Sequence, residues 1–306
     1  MKSSHFARAL WFGILGALFF AFTFIFNRSM NLAGGSWMWS ASLRYLFSLP
    51  MMAVLVWQKG ELKGVLSAIV RAPWIWLLWS TVGFGLFYAP LSMASIYGES
   101  WFVAATWQIT ILAGLLLTPL FGQKIPGKQL GMTLLILLGI VLIQIPYFGR
   151  GLGEGVVRAS ILILIAAFSY PLGNRKMLVH CKEEQLSTTQ RVFGMNLMSV
   201  PFWLLLSVFA GVDAGLPSGG QMLQSLIVAV FSGVIATMLF FEATNLVKHN
   251  HQQLAVVEAT QAGEVLFTLF GGCLFLGDQI PTPLGFLGVF IVIVGIVGNS
   301  LLTSSE

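Results

Sequence analysis

Residues 9–28 read ALWFGILGALFFAFTFIFNR, an unbroken apolar run that closes on Asn27 and Arg28. A helix rises about 1.5 Å per residue, so twenty such residues reach about 30 Å, the thickness of a bilayer's hydrocarbon core. Lys2 and Arg8 ahead of the run give it the outline of a secretory signal, but it is long for one and many similar runs follow. We read it as an uncleaved first membrane helix. Nine further runs lie at about 37–57, 73–96, 101–121, 129–147, 156–176, 190–210, 222–246, 253–276 and 283–302. The connections are short and punctuated by Gly, Pro or charge, as at Lys59-Gly60-Glu61 and Gly277-Asp278, and none could hold a soluble domain. The expected fold class is therefore an all-α integral membrane protein of about ten transmembrane helices.

Composition agrees. The chain is 57% hydrophobic and 9% charged, where soluble domains carry about 25% charge; lipid is the solvent that tolerates such a surface. The net charge of +5 does not point to nucleic acid, because the basic residues are not clustered with aromatics. They sit in short connections instead. With the N-terminus in the cytoplasm, twelve of the sixteen basic residues fall on the inner side. These include Lys59, Lys63, Arg71, Arg175, Lys176, Arg191 and Lys248, against Arg28, Arg150 and Arg158 outside and Arg44 within a span. This bias predicts a multi-pass protein of the cell (inner) membrane with both termini cytoplasmic. Cys181 and Cys273 fall near opposite faces and are expected to be free thiols.

The run has an echo. Asn27-Arg28-Ser29-Met30 matches Asn174-Arg175-Lys176-Met177, and Arg44 matches Arg191, both at an offset of 147. Phe87 to Gln108 aligns without gaps to Phe240 to Gln261 at an offset of 153, and Ile125-Pro126 matches Ile280-Pro281 at 155. Residues 1–150 and 151–306 are thus expected to be two five-helix repeats of one bundle. Five is odd, so the second copy enters the membrane from the opposite side. Exchanging the conformations of two inverted halves is a recurring way to alternate access to a central site.

The end of each half carries a resemblance. Leu276-Gly277-Asp278-Gln279-Ile280-Pro281, followed by Leu284-Gly285 and Gly295-Ile296-Val297, resembles the Leu-Gly-acid turn and glycine-spaced last helix of the drug/metabolite transporter superfamily. The first copy, Phe121-Gly122-Gln123-Lys124-Ile125-Pro126, lacks the acid. Arg44 and Arg191 resemble the arginine often found early in the second helix of each repeat. The chain is similar to the superfamily's ten-helix, two-repeat, EamA-like form, with the long multidrug resistance efflux transporters its nearest kin. The resemblance implies a transporter rather than an enzyme. One departure stands out. The four-helix drug pumps of the superfamily carry an essential Glu in their first helix, and here neither the first span nor its mate at 156–176 holds an acid.

The acids lie elsewhere. A charge at the bilayer centre costs about 3 kcal/mol or more, so an intramembrane acid is a functional candidate. The ninth span holds Glu258 and Glu264 with Gln261 between them. At about 100° per residue, all three share about a third of the helix circumference. Glu264 falls near the midplane, where transporter sites lie, and there it could exchange a proton for a cationic substrate; a structural Glu bonded to a neighbouring helix is the plainer reading. Gln108, the repeat mate of Gln261, is expected to face the same cavity, and Trp107 beside it could hold an organic cation on its ring or merely pack. Arg44 could bind an anionic group or cap buried carbonyls, whereas Arg191 reads as an orientation charge. Tyr88 could donate to substrate but also fits a core position. Glu242, with Asn245 nearby, could gate the inner mouth, though pairing with Lys248 is the plainer reading. Pro50, Pro90, Pro171 and Pro201 fall within spans and would kink them. Gly285, Gly288, Gly295 and Gly298 allow close helix contact, within the chain or in a homodimer.

Catalytic signals are weak. There is no His-Glu-x-x-His, Walker loop or serine elbow, and His249-Asn250-His251 reads as a solvated turn rather than a metal site. No cofactor or metal is expected, and without an ATP-binding loop transport must run on a gradient or downhill. The reading is a secondary-active exporter of small cationic or zwitterionic compounds that works by alternating access and exchanges protons. An exporter of amino acids or other metabolites is the first alternative. An intramembrane enzyme or a non-transporting receptor is the alternative of a different class. The partners expected are a small-molecule substrate, protons and the lipid bilayer.

Overall fold

A computed structural model describes residues 2–122, 124–125, 127–149, 153–247 and 250–303. Among them the chain is helical, without strands. The long helices follow the apolar runs: α1 Lys2–Leu32, α2 Trp37–Gln58, α4 Pro73–Ala94, α6 Gly127–Gly149, α7 Gly153–Glu183, α8 Thr188–Ala214, α9 Gly219–Val247, α10 over 251–276 and α11 Pro283–Thr303. Each is long and apolar enough to cross a bilayer. A tenth apolar helix, α5 Ser100–Leu116, is shorter. The chain is a multi-pass membrane protein.

Three features depart from the apolar runs. Helix α5 ends early because Pro119 cannot donate to the ladder; a 3₁₀ turn over Thr118–Phe121 follows, and Gly122 closes it at φ 73°. Gly277 closes α10 in the same left-handed conformation, at φ 67°, so both Leu/Phe-Gly turns need a residue without a Cβ. Helices α1 and α7 are each 31 residues long and overrun their apolar stretches, which places Arg28 and Arg175 inside helices rather than in connections. The stretch after Gly60 forms a short amphipathic helix, α3 Leu62–Arg71, which buries Val65, Ala68 and Ile69 and exposes Lys63 and Arg71. All four prolines expected within spans do lie inside helices.

Helices of the two halves pair reciprocally. Helix α1 packs on α9, and α7 packs on α4; α2 packs on α8, and α6 on α11. Glycine makes these contacts close. A Cβ on Gly139 would sit 2.7 Å from the Gly288 carbonyl oxygen, and one on Gly288 would sit 2.6 Å from the Gly139 oxygen. A Cβ on Gly295 would meet Ile136 at 2.6 Å, so α11 spends Gly288 and Gly295 on packing within the chain. Gly83 and Gly173 bring the α4 and α7 backbones together in the same way.

The bundle has two faces. On one, which we call the N-terminal face, the start of α1, the end of α9 and the start of α10 share a small core of Ala9, Ala243, Val247 and Val257. The connections either side of α3 and between α7 and α8 are latched together on this face as well. Ser187 Oγ donates to Glu61 Oε2 at 2.8 Å, Gln190 Nε2 donates to the Glu61 carbonyl at 2.8 Å, and Arg71 pairs with Glu184. At the opposite face Asp278 accepts from the Ser100 N–H (2.8 Å) and hydroxyl (2.5 Å) at the start of α5 and lies 3.8 Å from Arg28 Nε. Arg28 Nη1 donates onward to the Ser95 carbonyl at 3.1 Å, and Trp101 Nε1 donates to the Gln279 carbonyl at 3.0 Å. A Cβ on Gly272 would meet the Asp278 carboxylate at 2.5 Å, so this junction also requires a glycine.

Candidate functional site

A cavity of about 600 Å³ lies between the halves. Its lining comes from the middle of α1 and α4 (Phe24, Phe87) and from the ends of α7, α8 and α11 that belong to the N-terminal face (Leu178, Arg191, Ser300). It therefore runs from the middle of the bundle toward that face, while the Arg28–Asp278–Ser100 cluster ties helices together beyond its far end.

Most of the residues singled out in the sequence meet here. Glu258, Gln261 and Glu264 of α10 all line the cavity, as do Trp107 and Gln108 of α5 and Arg44 of α2. The register follows from the break in α10, where Thr260–Ala262 tightens to 3₁₀ between two α-helical pieces. Glu264 is buried, with 7% of its surface exposed. The ion pairs among the described residues, Arg28–Asp278, Arg71–Glu184 and Arg158–Glu154, do not involve it. A carboxyl held in this setting without an ion-pair partner among the described residues is a candidate for proton exchange. Gln108 donates to the Ala104 carbonyl at 3.2 Å. Trp107 packs on Phe87 (5.1 Å between ring centroids) and Tyr170 (5.8 Å), and these three rings form one aromatic wall of the cavity.

Arg44 enters the bundle about 10 Å from the start of α2, taking about 1.5 Å per residue. Its guanidinium lies 4.0 Å from the Tyr88 ring centroid and 5.5 Å from that of Tyr45, and its Nη2 donates weakly to Ser232 Oγ at 3.4 Å. Tyr88 is fully buried behind this arginine and hydrogen-bonds with Asn27. It does not line the cavity, and it supports Arg44 instead. Tyr45 stacks on Trp203 at 4.5 Å, which stiffens the same wall.

Other expected positions lie elsewhere. Glu242 and Asn245 are exposed on α9 and do not line the cavity, although their neighbour Phe241 does. Lys248, His249, Gln123, Pro126 and Arg150 lie outside the described residues, as does the His251 side chain. Arg191, read as an orientation charge, lines the cavity with its Nε buried. Sequence reasoning also missed Arg175 and Tyr170. Arg175 counted as a loop charge because α7 outlasts its apolar run; it lines the cavity and donates to the Gly114 carbonyl at 2.6 Å. Tyr170 is 40% exposed, and since it lines the cavity that exposure belongs to the site. Its signal was only a polar atom within an apolar run.

A bundle of spanning helices around a largely apolar cavity that holds a few polar and charged side chains is an arrangement suited to a membrane transporter. Residues 7–305 match the family described as "EmrE: Putative multidrug resistance efflux transporter", and the chain belongs to that family. It is 47% identical over 306 residues to the Bacillus subtilis (strain 168) protein YjlA, covering 95% of this chain and 93% of that one. A Shouchella clausii protein of 42.1 kDa is 42% identical over 267 residues, covering 84% of this chain and 70% of that one. Both are described only as uncharacterized. A solved crystal structure shares the fold at TM-score 0.62 and 14% identity, covering 97% of this chain and 98% of that one. The family is one of efflux transporters, and the protein is a transporter rather than an enzyme.

Proposed function

We propose that the protein is a proton-coupled exporter of small cationic or zwitterionic compounds, described here in its inward-open state. The observation that carries this reading is Glu264, buried and without an ion pair among the described residues, on the wall of a central cavity whose lining extends toward the N-terminal face. Protonation and substrate binding at one carboxyl exclude each other, and that exclusion couples two fluxes without a second site. The Phe87–Trp107–Tyr170 wall supports the reading, since aromatic faces attract organic cations. The reciprocal packing of α1 on α9 and of α7 on α4 supports residues 1–150 and 151–306 as inverted repeats whose conformations exchange. The basic residues of the N-terminal face support a cytoplasmic position for it and for both termini in the cell membrane.

The test is efflux of ethidium from proteoliposomes under an imposed pH gradient. Wild type should move the cation down the exchange gradient, and Glu264→Gln should reduce flux to that of empty liposomes while the protein remains folded. Equal flux in the two proteins, or flux that ignores the gradient, would remove Glu264 from the mechanism.

A further inference from the structure

Lys176 is a cation on the side of α7 away from the cavity. Taking about 100° per residue, it lies about 200° around the helix from Asn174 and Leu178, which line the cavity. Its ammonium sits between two aromatic rings, 5.6 Å from the ring centroid of Trp79 on α4 and 5.3 Å from that of Phe121 in the turn after α5. Ring faces attract a cation but offer its three N–H groups no acceptor oxygen. Among the described residues Lys176 meets no carboxylate, and it is half-buried rather than enclosed.

The surroundings are basic and apolar. Lys124 follows Phe121 by three residues and Lys128 stands in the first turn of α6; both are exposed. Neither has an ion pair among the described residues. No acid answers these lysines nearby in the chain: residues 73–94, 100–153 and 155–182 hold no Asp or Glu. Of the two acids that follow, Glu184 is taken by Arg71, and Glu183 is exposed about 10 Å along α7 from Lys176. Leu116 and Leu120 ahead of Phe121, and Val179 one turn past Lys176, are exposed apolar side chains that in a bilayer meet acyl chains.

We propose that the seam between α4, α7 and the α5–α6 turn binds the headgroup of an anionic phospholipid in the leaflet at the N-terminal face. Lys176 meets the phosphate from the acyl-chain side, and Lys124 and Lys128 add charge from the water side. Basic clusters between membrane helices are matched by anionic headgroups. A choline headgroup brings a cation of its own, which three lysines repel. The seam faces away from the cavity, so the lipid site depends neither on Glu264 nor on the compound the cavity carries.

The test is thermal unfolding of the purified full chain in dodecyl maltoside at fixed salt, titrated with palmitoyl-oleoyl phosphatidylglycerol or with the matching phosphatidylcholine. Phosphatidylglycerol should raise the midpoint at lower concentration than phosphatidylcholine. Lys176→Gln should raise the half-saturating concentration of phosphatidylglycerol about fivefold, the factor that corresponds to about 1 kcal/mol for one basic residue near an anionic surface. Lys124→Gln combined with Lys128→Gln should raise it further. Lys182→Gln removes the same charge from the exposed end of α7, outside the seam, and should leave the titration unchanged. Equal effects of the two lipids on wild type overturn the proposal. A loss in Lys182→Gln as large as that in Lys176→Gln also overturns it, because overall surface charge would then account for the preference. Protection by inorganic phosphate equal to that by phosphatidylglycerol overturns it in favour of a soluble anion. If Lys176→Gln fails to fold, the Lys124/Lys128 double variant set against Lys182→Gln decides.

Discussion

Gly173 shows how much one missing methyl group determines in this bundle. It sits against the Gly83 backbone, and a Cβ at Gly83 would lie 3.2 Å from the Gly173 Cα, so α4 and α7 touch main chain to main chain. Leucine at this point has no flexible neighbour to displace. Gly173→Leu should destabilise the fold by about 1–3 kcal/mol or more, read as a lower midpoint in a thermal shift of the detergent-solubilised protein. Gly131, with nothing within 4 Å of its would-be Cβ, is the control. Gly131→Ala should leave the midpoint unchanged or raise it, since alanine favours a helix by about 1 kcal/mol. At this scale the sequence was readable where chemistry is rare. Glu258, Gln261 and Glu264 stood out because acids are costly in lipid, and helical spacing placed them on one face. Arg191 and Tyr170 were not readable, because a basic residue near a helix end and a tyrosine in an apolar run each have a commoner explanation than a cavity wall.

The Arg28–Asp278–Ser100 junction acts between elements. It ties the end of α1 to the start of α5 and to the turn between α10 and α11, and these join at the face the cavity does not reach. Asp278 belongs to the Leu-Gly-acid turn, whereas the similar Phe121-Gly122 stretch continues with Gln123 and has no carboxylate. Removing it should loosen the closed end. In a cysteine-free background, Leu91→Cys, buried at 2% exposure on the cavity wall toward that face, should react slowly with a membrane-impermeant maleimide supplied from there. Adding Asp278→Ala should speed the reaction about tenfold, the effect expected from losing charged hydrogen bonds of about 1.5 kcal/mol or more. An unchanged rate would show that closure rests on other contacts. Helix positions were legible because hydropathy is a sum over twenty residues and tolerates local error. The latch was not, because it joins residues 178 positions apart in the chain, and only its glycine turn left a mark. Helix α3 was hidden for a related reason: ten residues are too few for a span, and its stability comes from packing on α8.

For the whole molecule, the remaining question is which side the cavity opens to. Basic residues cluster toward the N-terminal face, Lys59 just after α2, Lys63 and Arg71 on α3, and Lys176 and Lys182 near the end of α7. Such clusters stay on the cytoplasmic side during insertion. Leu178 lines the cavity near that face and is 52% exposed, whereas Asp213, at the end of α8, is exposed at the opposite one. With Cys181 and Cys273 replaced by alanine, Leu178→Cys should label with an impermeant maleimide in inside-out vesicles and resist it in intact cells. Asp213→Cys should show the reverse. If both patterns invert together, the protein sits the other way up and the cavity faces outward, which would turn the proposed exporter into a protein that collects its substrate from outside. If Leu178→Cys labels from both sides while Asp213→Cys labels only in intact cells, the orientation holds and the opposite face is not sealed. The proton and the substrate would then not be confined to one side at a time, and exchange at Glu264 could not be coupled.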